Sequence, residues 1–139
     1  MEIDLAKVSL TLEEEIYGEI DSTKALTELD RIESTIRKMS DFGDSPLERM
    51  GAILRFLYTP GDWNGYVPYS YDFSDPFGAQ NPRAKSIANF LLTKKGNCVS
   101  MPILVLILAQ RLDTNAKLSL APLHAFIQYT DQELSLIHI

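Results

Sequence analysis

Residues 96–112, Gly-Asn-Cys-Val-Ser-Met-Pro-Ile-Leu-Val-Leu-Ile-Leu-Ala-Gln-Arg-Leu, decide how the rest of the chain must fold. Nine successive apolar residues, Met101 to Ala109, leave no polar face for water, so the segment is buried on all sides. A length of about fifteen residues favours a central helix over a strand. Pro102 has no amide to donate to the Cys98 carbonyl, so the first turn is irregular or begins a residue or two later.

A helix buried on every side needs layers around it, and the flanking sequence supplies them. Downstream, beyond Asp113 to Asn115, the pattern becomes extended: LSLAP at 118–122, HAFIQY at 124–129, and a last apolar run after the polar Thr130 to Glu133. Upstream the pattern is helical. Thr11, followed by Glu13, Glu14 and Glu15, reads as an N-cap with acids in the first turn of a short helix reaching about Ile20. Leu26, Leu29, Ile32, Ile36 and Met39 recur at spacings of three and four, on one face of a helix entered through Asp21 to Thr23. Ser45, Pro46 and Glu48 put a cap, a first-position proline and a capping-box acid in register, and Leu47, Met50, Leu54 and Leu57 form the stripe behind them. A short helix near Ala84 to Thr93 ends in Lys94, Lys95 and Gly96. Helices first and an antiparallel sheet after them is an α+β order, with the central helix carrying the cysteine.

Between the helices lies TPGDWNGYVPYSYDFSDPFGAQNPR, residues 59–83. Four of the seven prolines and three of the seven glycines fall in it, so no long regular element survives. Flexible linkers lack large rings, whereas Tyr58 to Phe77 holds seven of the thirteen aromatic residues. Such a loop is either held over the core by aromatic anchors or takes part in binding a substrate.

Composition removes several function classes. The 139 residues carry 13 Lys plus Arg against 19 Asp plus Glu, with 45% apolar residues, which is enough for one domain with a real core. Residues 1–50 have a net charge of −7 and residues 51–139 a net of +1, so the acidity belongs to the helical front. With no basic stripe, the electrostatic footprint of a nucleic-acid binder is missing. One cysteine cannot build a disulfide framework, and no apolar run approaches the roughly 18 residues of a membrane span. The N-terminus has neither a basic n-region nor a long apolar h-region, and a cytoplasmic location is expected. Two histidines and one cysteine do not make a zinc set, and no glycine-rich phosphate loop is present, so neither metal nor cofactor is expected.

The lone cysteine has unusual surroundings for a small buried hydrophobe. Cys98 stands at the mouth of the buried helix, where unpaired amides and the helix dipole favour thiolate over thiol, and Lys94 and Lys95 add positive charge nearby in sequence. A thiolate needs a base to trade protons with, and His124 opens the extended segment HAFIQY. Cysteine at a helix start with histidine on a following strand is a nucleophile arrangement.

GNCVSMPILVLILAQRL followed by LSLAPLHAFIQY resembles the transglutaminase-like superfamily, in the branch related to bacterial SirB1 proteins. SPLERMGAILRFLY, the N-terminal helices and the proline-rich loop extend the resemblance over nearly the whole chain. It implies a papain-like α+β core with a Cys-His-Asp or Cys-His-Asn triad, Cys98 as nucleophile and His124 as base. Many members of that branch lack the cysteine, and this sequence keeps it. The resemblance puts the third residue on the strand after the histidine strand. Asp131 is too close to His124 and sits in a polar turn, so it is not assigned that role. The last six residues, LSLIHI, match one translated frame of a common sequencing adaptor. Residues 1–133 are therefore read as one C-terminally incomplete domain and 134–139 as an adaptor-derived tail, which removes His138 from consideration.

The reaction class that follows is acyl transfer on a peptide or protein, by hydrolysis or by transfer to an amine. An oxyanion site would use the Cys98 amide with a second donor, for which Trp63 and Asn97 are the candidates; packing and helix capping are their ordinary roles. The competing reading is a non-catalytic regulatory or binding domain on the same fold.

Overall fold

The structure is a computed structural model. It describes residues 3–75 and 79–114 (Ala84 by its backbone alone) together with the backbone of strands 116–121, 124–130 and 134–138. Asn115, Phe77 and Asp131, named above, lie outside the described residues, as do the side chains of His124 and His138.

Among the described residues five α-helices and five strands follow in order: α1 (Leu5–Tyr17), α2 (Ser22–Arg37), α3 (Pro46–Tyr58), β1 (Ser70–Tyr71), α4 (Ile87–Thr93), β2 (Lys95–Gly96), α5 (Ser100–Arg111), β3 (Ala116–Ala121), β4 (His124–Thr130) and β5 (Leu134–His138). The architecture is α+β and predominantly helical. Strands β3, β4 and β5 run antiparallel in that order, with Ala121 opposite His124 and Phe126 opposite His138. A second, unexpected sheet is parallel: Ser70 pairs with Lys95 and Tyr71 with Gly96. Two residues per strand are below what periodicity can register, and the pairing joins segments that sequence reading had assigned to a loop and a helix stop. Leu134–His138, read above as adaptor-derived, pairs along β4 through backbone groups that every sequence carries.

Helix α5 is the hub. Its residues Leu104, Val105, Leu108 and Ala109 have no exposed surface, and the helix lies against α1, α2, α3, α4, β3 and β4. Burial of a side chain of this size contributes about 1.5–3 kcal/mol, so this one element accounts for much of the hydrophobic stabilisation. Its far end is closed by cations. Arg37 donates to the Arg111 carbonyl at 3.0 Å, and Arg49 donates to the carbonyls of Leu112 at 2.9 Å and Asp113 at 3.2 Å, where the helix dipole is negative. Gln110 accepts from the Leu5 amide at 2.8 Å and so ties in the start of α1.

Two expected boundaries and one expected stripe shift. The first helix begins at Leu5 with Asp4 as its cap, not at Thr11, which lies inside it. The acids after Thr11 misled the reading because one of them serves another helix. Glu13 is buried; its carboxylate accepts from the Ser86 hydroxyl at 2.8 Å and from the Ile87 and Ala88 amides, at the N-terminus of α4. The third helix starts as expected, with the Glu48 amide donating to Ser45 Oγ at 3.1 Å, but its buried stripe is Met50, Ile53, Phe56 and Leu57, while Leu47 is exposed. The expected helix from Ala84 splits into a 3-10 turn, Pro82–Lys85, and α4, because Ser86 breaks the path to cap α4 through the Asn89 amide. Among the described residues, no helix is long and apolar enough to cross a membrane.

Glu13→Ala would leave the Ser86 hydroxyl and two amides of α4 without their acceptor in a buried place. It is expected to cost about 1–3 kcal/mol in urea unfolding, against less than about 0.5 kcal/mol for the exposed neighbour in Glu15→Ala.

Candidate active site

Asn97 sets the geometry around the cysteine. Its Oδ1 accepts from the amides of Val99 at 2.9 Å and Ser100 at 3.1 Å, while its own amide donates to Ser100 Oγ at 3.0 Å. This is a reciprocal cap of Asn and Ser, three amide donors satisfied by two short side chains. The Asn97 carbonyl accepts from the Met101 amide at 3.1 Å and the Val99 carbonyl from the Ile103 amide at 3.4 Å. Between those rungs Pro102 has no hydrogen to give the Cys98 carbonyl, so regular helix starts only at Ser100. The cysteine is thus not carried within α5; it stands two residues before it, in the turn that Asn97 closes. Cys98 is a free, partly exposed thiol.

Gly96 is required by close approach. A Cβ there would lie 2.6 Å from Ser100 Oγ and 2.9 Å from the Phe90 ring, both fixed in the interior. Asn97 and Ser100 are fully buried, and Asn97 Nδ2 has no partner among the described residues.

The aromatic loop is fastened to this turn. Besides the β1–β2 pairing, the Ser70 amide donates to the Lys94 carbonyl at 2.9 Å and the Asp72 amide to the Gly96 carbonyl at 2.7 Å. Lys94 and Lys95, expected to add positive charge beside the thiol, turn toward the loop instead. Lys94 Nζ donates to the carbonyls of Asn64 and Val67, each at 2.9 Å, and lies over the Tyr69 ring; Lys95 Nζ donates to Ser70 Oγ at 2.9 Å. Lys94 itself, not Gly96, takes the left-handed conformation that ends α4, with φ 59°. Tyr69 is the main anchor, buried between Phe56 and Phe90, where burial pushes its phenol up to about 12.

Trp63 is placed at the end of α3. Its indole N–H is shared between the carbonyls of Arg55 at 3.1 Å and Thr59 at 3.0 Å, its ring packs over Gly61, and the Arg55 guanidinium stacks 4.7 Å from its centre. The geometry commits that donor inside the fold. Asn64 works beside it, donating to the carbonyls of Phe56 and Thr59.

The parallel pairing also brings Tyr71 to the segment that carries the thiol. Tyr71 follows from the pairing opposite Gly96, and its phenol is pushed up first by burial and then by the charge of Cys98 when ionised. His124 opens β4, a strand lying against α5. Among the described residues no group of histidine, cysteine and carboxylate side chains could hold a metal ion.

Beyond Tyr71 the loop is organised by two carboxylates. Asp72 accepts from the Ser74 hydroxyl and amide, and Asp75 accepts from the amides of Asn81 and Ala79 at 2.8 Å and of Gln80 at 3.2 Å. These bonds favour the ionised forms and hold both groups below the usual carboxylate range. Because the folded carboxyl is the stronger acid, its contribution is complete above the ordinary value of about 4 and is lost as pH falls through the depressed one. Amide exchange at Ala79, Gln80 and Asn81 is therefore expected to be slow above about pH 4, to quicken below it after correction for intrinsic rates, and to be fast at all pH values in Asp75→Ala. At the turn itself, Asn97→Ala is expected to cost about 1 kcal/mol or more in urea unfolding, and Asn97→Asp, which keeps the acceptor, less than Asn97→Ala.

A family model described as transglutaminase-like superfamily matches residues 23–138, a span that takes in the loop, the Cys98 turn and the His124 strand. No curated protein and no solved structure matches the chain. With five-sixths of its length inside that model, the chain belongs to the transglutaminase-like superfamily.

Proposed function

We propose that this protein is a thiol-dependent acyl-transfer enzyme acting on an amide of a peptide or protein, with Cys98 as nucleophile and His124 as its proton partner, in the SirB1-related branch of the superfamily. The observation that carries the reading is a partly exposed thiol in a turn fixed by Asn97 and Ser100 at the head of a buried helix, in a superfamily that includes cysteine-dependent enzymes. The buried Asn97 and Ser100 hold the turn on either side of Cys98, and fixing a reacting atom before the substrate arrives lowers a barrier.

In this reading the Cys98 sulfur attacks the carbonyl carbon. The S–C bond forms and the C–N bond breaks, while the His124 imidazolium gives its proton to the departing amine. Water or a second amine then attacks the thioester, His124 takes the proton, and the sulfur leaves. The charge that develops on the carbonyl oxygen faces the positive end of α5, where the Cys98 amide is the first donor available. Asn97 acts by holding that turn.

Alkylation with iodoacetamide near pH 7, followed by mass spectrometry, tests the pair. Cys98 is expected to react about tenfold or more faster than glutathione, and His124→Ala to lose about tenfold of that rate. A rate equal to that of glutathione, unchanged in His124→Ala, would overturn the enzyme and leave a binding domain on the same fold.

A further inference from the structure

Of the described large apolar side chains that reach solvent, Phe73 is the most exposed. Phe73 is 85% exposed, although burying a ring of that size would contribute about 1.5–3 kcal/mol. Its exposure is built. The ring stacks on Tyr71, with centres 5.1 Å apart and planes inclined at 46°, and the backbone on its far side is turned by the Asp72 bonds to Ser74. Asp75, two residues on, is buried and gathers three amides of the returning chain. A tight turn thus presents the ring to water.

The chain before the ring is paired to the segment that carries the thiol. Tyr71 is opposite Gly96 in the parallel pair, and the Asp72 amide is bonded to the Gly96 carbonyl, two residues before Cys98. On the other side of Cys98, Val99 is 38% exposed. Apolar side chains thus stand on the loop paired to the segment before Cys98 and at the residue after it.

We infer that Phe73 and Tyr71 form a shelf that selects the substrate: the site takes a peptide chain whose residue next to the reacting carbonyl carries an aromatic or large aliphatic side chain. The inference rests on the assignment of Cys98 as nucleophile. An apolar side chain laid on the two rings removes exposed surface from both partners, and it places the adjoining carbonyl toward the Cys98 turn.

Two chloromethyl ketones that label thiols by displacing chloride, N-acetyl-phenylalanyl and N-acetyl-glycyl, test the shelf on the full chain. The readout is the ratio of their labelling rates at Cys98. A ratio of about tenfold, corrected for the same ratio on glutathione, is expected for the wild type, with loss of the preference in Phe73→Ser and Tyr71→Ser. Ile16→Ser, at an exposed apolar position on α1, is expected to keep the ratio. A wild-type ratio equal to that of glutathione, or a preference that survives Phe73→Ser, would overturn the shelf. So would a loss shared with Ile16→Ser. Iodoacetamide labelling of the same samples reads the nucleophile separately: fast alkylation with no preference removes only the shelf, whereas alkylation at the glutathione rate removes the nucleophile.

Discussion

A helix with no wet face must have both of its ends satisfied from inside the protein. Each end of a helix leaves polar groups without intrahelical partners, and burial makes every such orphan expensive. In α5 the two ends are met differently. Arg37 and Arg49 reach the last carbonyls from α2 and α3, so closing that end also docks two helices. The first turn is met locally, by Asn97 and Ser100, within four residues. That difference matters for chemistry. An end closed by long cations is covered by them, while an end closed by two short side chains leaves the residue between them, Cys98, partly open.

Pro102 belongs to the same constraint. It removes one donor from the first turn, so Cys98 keeps a carbonyl that no helical amide claims, and the turn is held by its caps in place of a regular ladder. Gly96 makes the other side possible, since any side chain there would meet Phe90 and Ser100. Four residues, Asn97, Ser100, Pro102 and Gly96, each suited by sterics or hydrogen bonding, thus fix the position of Cys98.

Much of this was legible in the chain because it is local. The nine apolar residues gave the buried helix, Pro102 its delayed start, and Ser45 with Glu48 the beginning of α3. What was missed depends on partners far away in sequence. Glu13 looks like a first-turn acid, but its amides belong to α4, more than seventy residues on. Lys94 and Lys95 look like charges near a cysteine, yet each ammonium is turned to a carbonyl or hydroxyl of the loop by contacts that no spacing records. Leu47 fits a stripe of period three and four, but α3 turns Ile53 and Phe56 inward in its place, a rotation set by what packs against it. Tyr71 was counted as one ring among seven, and only the pairing with Gly96 sets it apart.

The aromatic loop combines both roles that its composition suggested. Tyr69 and Trp63 are anchors: one fills the core between two phenylalanines, the other closes the end of α3 with its single donor. Phe73 cannot be an anchor, because it contacts water over most of its surface. The anchors are what give its exposure meaning. A ring on an untethered loop would collapse onto any apolar surface within reach, whereas one held between a parallel strand pair and two carboxylate-organised turns stays where the chain puts it. The loop is attached to the segment that leads into the turn α5 needs for its own closure, so the order that stabilises the buried helix also positions the start of the Tyr71–Phe73 pair.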